Sequence, residues 1–294
     1  MTVIVDQDQQ RSSPAGQARL VRRPVGSPVE IRRRSVRARR VDLALGVAVP
    51  LFLLGLWELA SRQGWVDRRI YPPVTKVIQT GWQLARDGAL GDAASSTLNR
   101  LMQGFLLGSS TGFLVGMGMG LGHRVRSALE PLLNALYVVP KLALLPIFLT
   151  MFGFGDAPKV VLVAVVVFFF VWINTMETFA TVPLAYREVA KSFGASRSLT
   201  FLQVFLPSSL PQIFVGLRMA MSVSVLSIVG AEFLVGNAGL GYLIFNSRQL
   251  FFQDRMYAGM IAVAVMGVIL SSIIAFIGRR LTPWAKVERQ QLRV

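Results

Sequence analysis

The stretch from Pro183 to Pro207 carries the most suggestive side-chain pattern in the 294-residue chain. Glu188 and Lys191 flank Ala190, Gly194 follows one turn later, and Leu199, Leu202, Phe205 and Leu206 recur at spacings of three and four before Pro207. No nucleophile with a base and no group of metal ligands occurs here, so the chemistry is recognition, not bond-making. Pro183 suits a first helical position, Gly194 a helix end, Ser196 or Ser198 a cap for a second helix, and Pro207 its stop. The leucines and Phe205 fall on one face of that second helix, while Ala190 and Gly194 leave a flat spot on the first. A small-residue patch beside two charges can seat in a groove on another protein.

Elsewhere reactive groups are sparse. His123 stands alone in a short polar segment, and the absence of cysteine excludes disulfides, thiolate metal sites and thiol nucleophiles. The ionisable residues lying in apolar surroundings are Lys141, Arg218 and Glu232, with Glu58 and Glu177 near the ends of apolar runs. A charge in hydrocarbon is expensive, which makes each a functional candidate. Lys141 follows Pro140 in a run that also contains Pro131 and Pro146, and three missing backbone donors predict a kinked or broken helix. Broken spans line cavities where freed carbonyls find partners, which makes Pro140, Lys141 and Glu232 candidates for a solute route. The competing readings are a packing kink with Lys141 snorkelling, and a cross-helix hydrogen bond for Glu232. Arg218, close to a span end, reaches the interface by snorkelling.

The elements that must position these residues are membrane spans. Hydrophobic residues make up 53% of the chain and charged ones 16%, and the apolar residues form long runs instead of amphipathic faces. A helix needs about 20 apolar residues to cross about 30 Å of hydrocarbon. Six segments qualify, approximately Asp42 to Ala60, Leu98 to Leu121, Leu129 to Phe152, Lys159 to Glu177, Leu210 to Val235 and Met256 to Gly278. The formal charge of +16 resides almost wholly between these runs, so it reports topology and not a nucleic-acid partner. Ten basic residues precede Asp42, and the positive-inside rule places both termini and the Glu188 loop in the cytoplasm.

Residues 1–40, rich in Arg, Ser, Pro and Gln, read as a disordered basic tail held at the inner membrane surface. Residues 41–97 contain the first span and an outer loop, with a Tyr71-Pro72-Pro73 turn and a surface helix over Val74 to Arg86. Residues 98–281 form the core with the loop 183–207, and 282–294 a cytoplasmic tail. In the second span Gly104, Gly108, Gly112, Gly116 and Gly120 recur every fourth residue, a face on which another helix backbone can approach, either within the subunit or across a dimer.

Glu188, Ala190, Gly194, Leu206 and Pro207 resemble the permease signature of bacterial ATP-binding-cassette importers, E-A-A-x3-G-x9-I-x-L-P, with Val189 for the middle Ala and Val204 for Ile. From Leu98 to Leu281 the segments Val139 to Pro146, Phe152-Gly-Phe-Gly155, Gly216-Leu-Arg218, and Ala231-Glu232 followed by Gly239-Leu-Gly241 resemble the nitrate, sulfonate and taurine branch of these permeases. The resemblance implies an all-α polytopic protein of six transmembrane helices with the type I ABC importer permease fold, in the bacterial cell membrane. It further implies a second copy of the permease, a cytoplasmic ABC ATPase dimer that carries ATP and Mg, and an extracytoplasmic solute-binding protein or lipoprotein. The loop becomes the ATPase-coupling element. No G-x-x-x-x-G-K-[ST] occurs in the chain, so no cofactor is expected on it and nucleotide chemistry falls to the partner. The implied solute is a small organic anion such as a sulfonate, taurine or an aromatic carboxylate, with nitrate, bicarbonate or a vitamin precursor as the alternative. An ion-coupled carrier working alone predicts inverted repeats and an acidic relay within the spans, whereas the chain offers one isolated Glu232 and a loop with docking character.

Overall fold

A computed structural model describes residues 28–285, with side chains from Leu45 onward apart from those of Leu184 and Arg187. The tail expected over 1–40 lies partly outside the described residues. From Pro28 the chain is helical: α1 runs Pro28–Gln63. The reason is continuity with an apolar helix, which supplies the nucleus, so each added residue needs only propagation, and Arg and Ala propagate well. The chain divides into a unit ending at Leu56 and a second beginning at Trp57. The helix α1 is apolar from Leu45, and its part Leu45–Gln63 is long and apolar enough to cross a membrane.

Among the described residues of the second unit every regular element is helical. The surface helix expected after the Tyr71-Pro72-Pro73 turn is α2, Val74–Arg86, which buries Val77, Thr80 and Leu84 on one side. The turn is held by the Ser61 hydroxyl, which donates to the Tyr71 carbonyl at 2.8 Å. Then follow α3 (Ala89–Leu121), α4 (His123–Val138), a 3-10 turn (Lys141–Leu144), α5 (Leu145–Phe152) and α6 (Ala157–Ala180). The remaining elements are α7 (Leu184–Ser192), α8 (Arg197–Thr200), a π turn (Phe201–Phe205), α9 (Leu206–Val235), α10 (Leu240–Gln249) and α11 (Gln253–Leu281).

The helices Ala89–Leu121, Ala157–Ala180, Arg197–Val235 and Gln253–Leu281 are each long and apolar enough to span, and the expected break in the third span appears as an 88° bend between α4 and α5. The glycine face decides what that bent pair does. A Cβ on Gly104 would meet Val160 and Val163, on Gly108 the Ala164 carbonyl at 2.3 Å, on Gly112 the Phe168 carbonyl, on Gly116 the Trp172 carbonyl, and on Gly120 Phe179. All five glycines therefore face α6 of the same chain, and the rising numbers on both sides show that α3 and α6 run parallel. The α4–α5 pair must carry the chain back across between them, and it counts as a crossing. Around the α3–α6 seam, α9 packs with Ala220, Met221, Val225 and Ile228 against Phe105, Val167 and Val171.

One expected boundary is different. Pro207 does not stop the second short helix, because α8, the π turn and α9 form one continuous helix, Arg197–Val235. In a regular turn the Pro207 ring would collide with the Gln203 carbonyl. The wider turn over Phe201–Phe205, where the Leu206 N–H donates to the Phe201 carbonyl, provides the room.

Candidate functional site

The docking loop is shaped by its caps. Gly194 has φ +70, a left-handed conformation open to glycine without strain. Its N–H donates to the Lys191 carbonyl at 2.9 Å and the Ala195 N–H to the Ala190 carbonyl at 3.0 Å, a paired closure that satisfies the last carbonyls of α7. Two residues later the Ser196 hydroxyl accepts from the Leu199 N–H and starts α8, so Ser196 and not Ser198 is the cap. The chain therefore passes from α7 to α8 through a turn closed by hydrogen bonds on both sides.

The face turned outward is not the expected flat one. Ala190 is buried, and Tyr186, Val189 and Phe193 are exposed, Phe193 at 85%. Their spacing of three and four makes one apolar stripe on α7, continued on the next helix by exposed Leu199 and Leu202. Nothing lies within 4 Å of a Cβ on Gly194, so this glycine serves the turn and not a close approach within the chain. Glu188 is exposed, while Leu206 and Pro207 are half-buried at the entry to α9.

At the opposite end of α9 the side chains do the reverse. Glu232 is fully buried, yet both its carboxylate oxygens are hydrogen-bonded. Arg100 of α3 donates from Nη1 to Glu232 Oε1 at 2.8 Å, the Thr97 hydroxyl lies 2.9 and 3.0 Å from the two carboxylate oxygens, and the Gly241 N–H donates to Oε2 at 2.9 Å. Arg100 also donates to the Ala238 carbonyl at 2.8 Å and, through Nε, to Asp156 Oδ1 at 2.6 Å. The Leu240 N–H donates to Thr97 Oγ1, and buried Lys159 lies 3.6 Å from Asp156. Gly239, at φ +110, passes so close that a Cβ there would sit 2.2 Å from Glu232 Oε1. The clasp thus joins α3, α9, α10 and the start of α6. Of the two readings of Glu232, the structure shows the cross-helix bond; the carboxylate is enclosed and faces no open cavity.

Arg100, Thr97, Asp156 and Lys159 were missed as site residues. The available signal was an arginine two residues inside an apolar run, since a buried carboxylate such as Glu232 requires a cationic or hydrogen-bonding partner.

Lys141 sits at the corner of the bent pair, following Pro140. Its ammonium lies 4.8 Å from the Tyr137 ring centroid and 4.6 Å from that of Phe169, and it donates to the Tyr137 carbonyl, one of those left free where α4 ends. It is half-buried, and Pro140 beside it is exposed.

Residues 105–287 match the family described as binding-protein-dependent transport system inner membrane component. The SsuC permease of Bacillus subtilis (strain 168), whose name assigns it to aliphatic sulfonates transport, is 30% identical over 246 residues, covering 84% of this chain and 89% of that protein. The taurine transport system permease protein TauC of Escherichia coli (strain K12) is 29% identical, covering 84% and 91%. The crystal structure of an amino acid ABC transporter matches with a TM-score of 0.54 at 16% identity, over 67% of this chain and 96% of that one, which shows the shared fold.

Proposed function

The chain belongs to the family of binding-protein-dependent transport system inner membrane components, and from that premise we propose how it is driven and what it carries. It is a multi-pass ABC importer permease. Its energy input is the α7–α8 loop, on which a cytoplasmic ATPase docks, and its solute is a small organic oxyanion of the sulfonate or taurine kind. A second copy completes the pathway, a binding protein delivers solute from outside, and both termini and the loop face the cytoplasm.

The observation that carries this reading is mechanical. α8 continues without interruption into α9, so the helix Arg197–Val235 links the apolar stripe of the loop to the Glu232 clasp across the whole membrane. A push on Leu199 and Leu202 by a closing ATPase pair is delivered directly to this continuous helix, and one on Val189 and Phe193 reaches it through the capped turn at Gly194. With the far end of the helix tied to α3 and α6, the spans tilt as a body between inward-open and outward-open forms.

An oxyanion solute is supported by the names of the sulfonate and taurine relatives and by Lys141. Its cation stands at the corner of the broken span, held by two rings and the Tyr137 carbonyl but by no carboxylate among the described residues, where an anion can pair with it. The deciding experiment reconstitutes the permease with its ATPase and binding protein in vesicles and follows ATP-dependent uptake of radiolabelled taurine and an alkanesulfonate. Uptake driven by an ion gradient without ATP sinks the importer mechanism. Lys141→Met is expected to lower uptake with ATPase assembly unchanged, and full uptake by that variant removes Lys141 from the route.

A further inference from the structure

A cavity beside the docking loop shares Lys191 and Leu202 with the docking face but has been given no ligand in the foregoing. It encloses about 820 Å³ between the C-terminal ends of α3 and α6 and the inner side of α7 and α8. Small-molecule sites span about 300–1,000 Å³. The lining divides by chemistry: Phe179, Phe201 and Phe205 supply carbon, with the Phe179 and Phe201 rings stacked at 6.1 Å, and Lys191, Arg197 and Ser198 supply two cations and a hydroxyl.

The two cations lack a counter-charge. Among the described residues Arg62, Lys76, Arg100, Arg126 and Lys159 each have a carboxylate within 4.0 Å, whereas Lys191 and Arg197 have none. No carboxylate of the described residues neutralises these two cations beside the aromatic wall, so an anion that enters the cavity meets two uncompensated charges. A bare inorganic anion would leave the aromatic wall uncovered, and an apolar molecule would leave the charges unmatched.

We propose that this cavity binds an amphiphilic oxyanion, with a sulfonate, carboxylate or phosphate head between Lys191 and Arg197 and an apolar tail against Phe179, Phe201 and Phe205. Such an occupant bridges the loop to the ends of α3 and α6 and stiffens it. That consequence rests on the proposed coupling role of the loop, whereas the binding does not. The head-and-tail chemistry has two sources, a soluble alkanesulfonate or an anionic phospholipid of the adjacent leaflet.

The test uses the purified full chain in nanodiscs. In phosphatidylcholine discs, octanesulfonate is titrated calorimetrically; in discs that also contain phosphatidylglycerol, retained lipid is identified by native mass spectrometry. Saturable binding of one equivalent of octanesulfonate assigns a soluble ligand, and selective retention of phosphatidylglycerol assigns a lipid. In either case Lys191→Gln/Arg197→Gln is expected to weaken binding about tenfold or more, and Lys191→Arg to preserve it. If the double variant does not fold, Ala195→Leu fills the cavity without changing charge and must weaken binding instead. Absence of both ligands from the wild-type chain overturns the proposal, as does wild-type binding by the folded double variant or by Ala195→Leu. ATP-dependent uptake measured alongside tests the importer reading separately, since uptake can persist with the cavity empty.

Discussion

The two ends of α9 are stabilised by opposite means. At the Glu232 end a buried carboxylate, a buried guanidinium and the backbone of Ala238 and Gly241 hydrogen-bond one another within the chain. At the Arg197 end the short helices are closed by caps, and their apolar side chains stand exposed, Leu202 at 59%. An end that serves as an anchor can be finished by intrachain bonds. An end that receives force must be finished by another molecule, and its unsatisfied apolar surface is the sign of that.

The largest test of this contrast is Glu232→Leu. It leaves buried Arg100 with only Asp156, 59% exposed, as counter-charge, and orphans the Gly241 N–H. Breaking one partner of a buried pair costs about 3–5 kcal/mol, which is about 10 °C in Tm for a chain of this size. Replacing both residues, Arg100→Met with Glu232→Leu, is expected to recover part of that loss, because no charge is left unpaired. A melting temperature unmoved by Glu232→Leu would dissolve the distinction between the ends. Next in size is Gly239→Ala, which forces a side chain into φ +110 and against the carboxylate. Strain of about 1–3 kcal/mol is expected, read as a smaller fall in Tm.

At the other end the same kind of change should behave differently. Gly194→Glu imposes about 1–2 kcal/mol of left-handed strain on an exposed turn, with no neighbour to collide with. Melting of the spans should stay within error while ATPase co-purification and uptake are lost, and retained uptake would remove the loop from energy coupling. Smallest is Ser196→Ala, which deletes one cap bond, worth about 1 kcal/mol, and should reduce uptake partially without altering membrane abundance. A Ser196→Ala effect equal to that of Gly194→Glu would mean that the loop tolerates no loosening at all.

Much of this was legible in the chain because the signals are local. Apolar runs, the proline-broken third span, the surface helix Val74–Arg86, the Gly194 turn and the Ser196 cap each depend on residues within a few positions of one another. What escaped depends on distance. Arg100 and Glu232 are 132 positions apart, and nothing near either names the other. The inward turn of Ala190 was hidden for a related reason: spacing identifies a small-residue face but not which side of a short helix meets the bundle. Pro207 misled because a proline normally ends a helix, and only the π turn before it makes continuation possible.

The glycine seam between α3 and α6 has a thermal consequence. Its contact is backbone against side chain and carbonyl, at separations too short for any Cβ. Inside a bilayer, no water is released when such a pair closes, so the attraction comes from dispersion and not from the expulsion of solvent. Dispersion lacks the heat-capacity signature that makes hydrophobic association fade on cooling. The apolar stripe of Tyr186, Val189 and Phe193, which meets its partner from water on the proposed reading, does carry that signature. In the cold the seam should hold while the stripe loses its grip, so the transporter would lose its drive before it loses its frame.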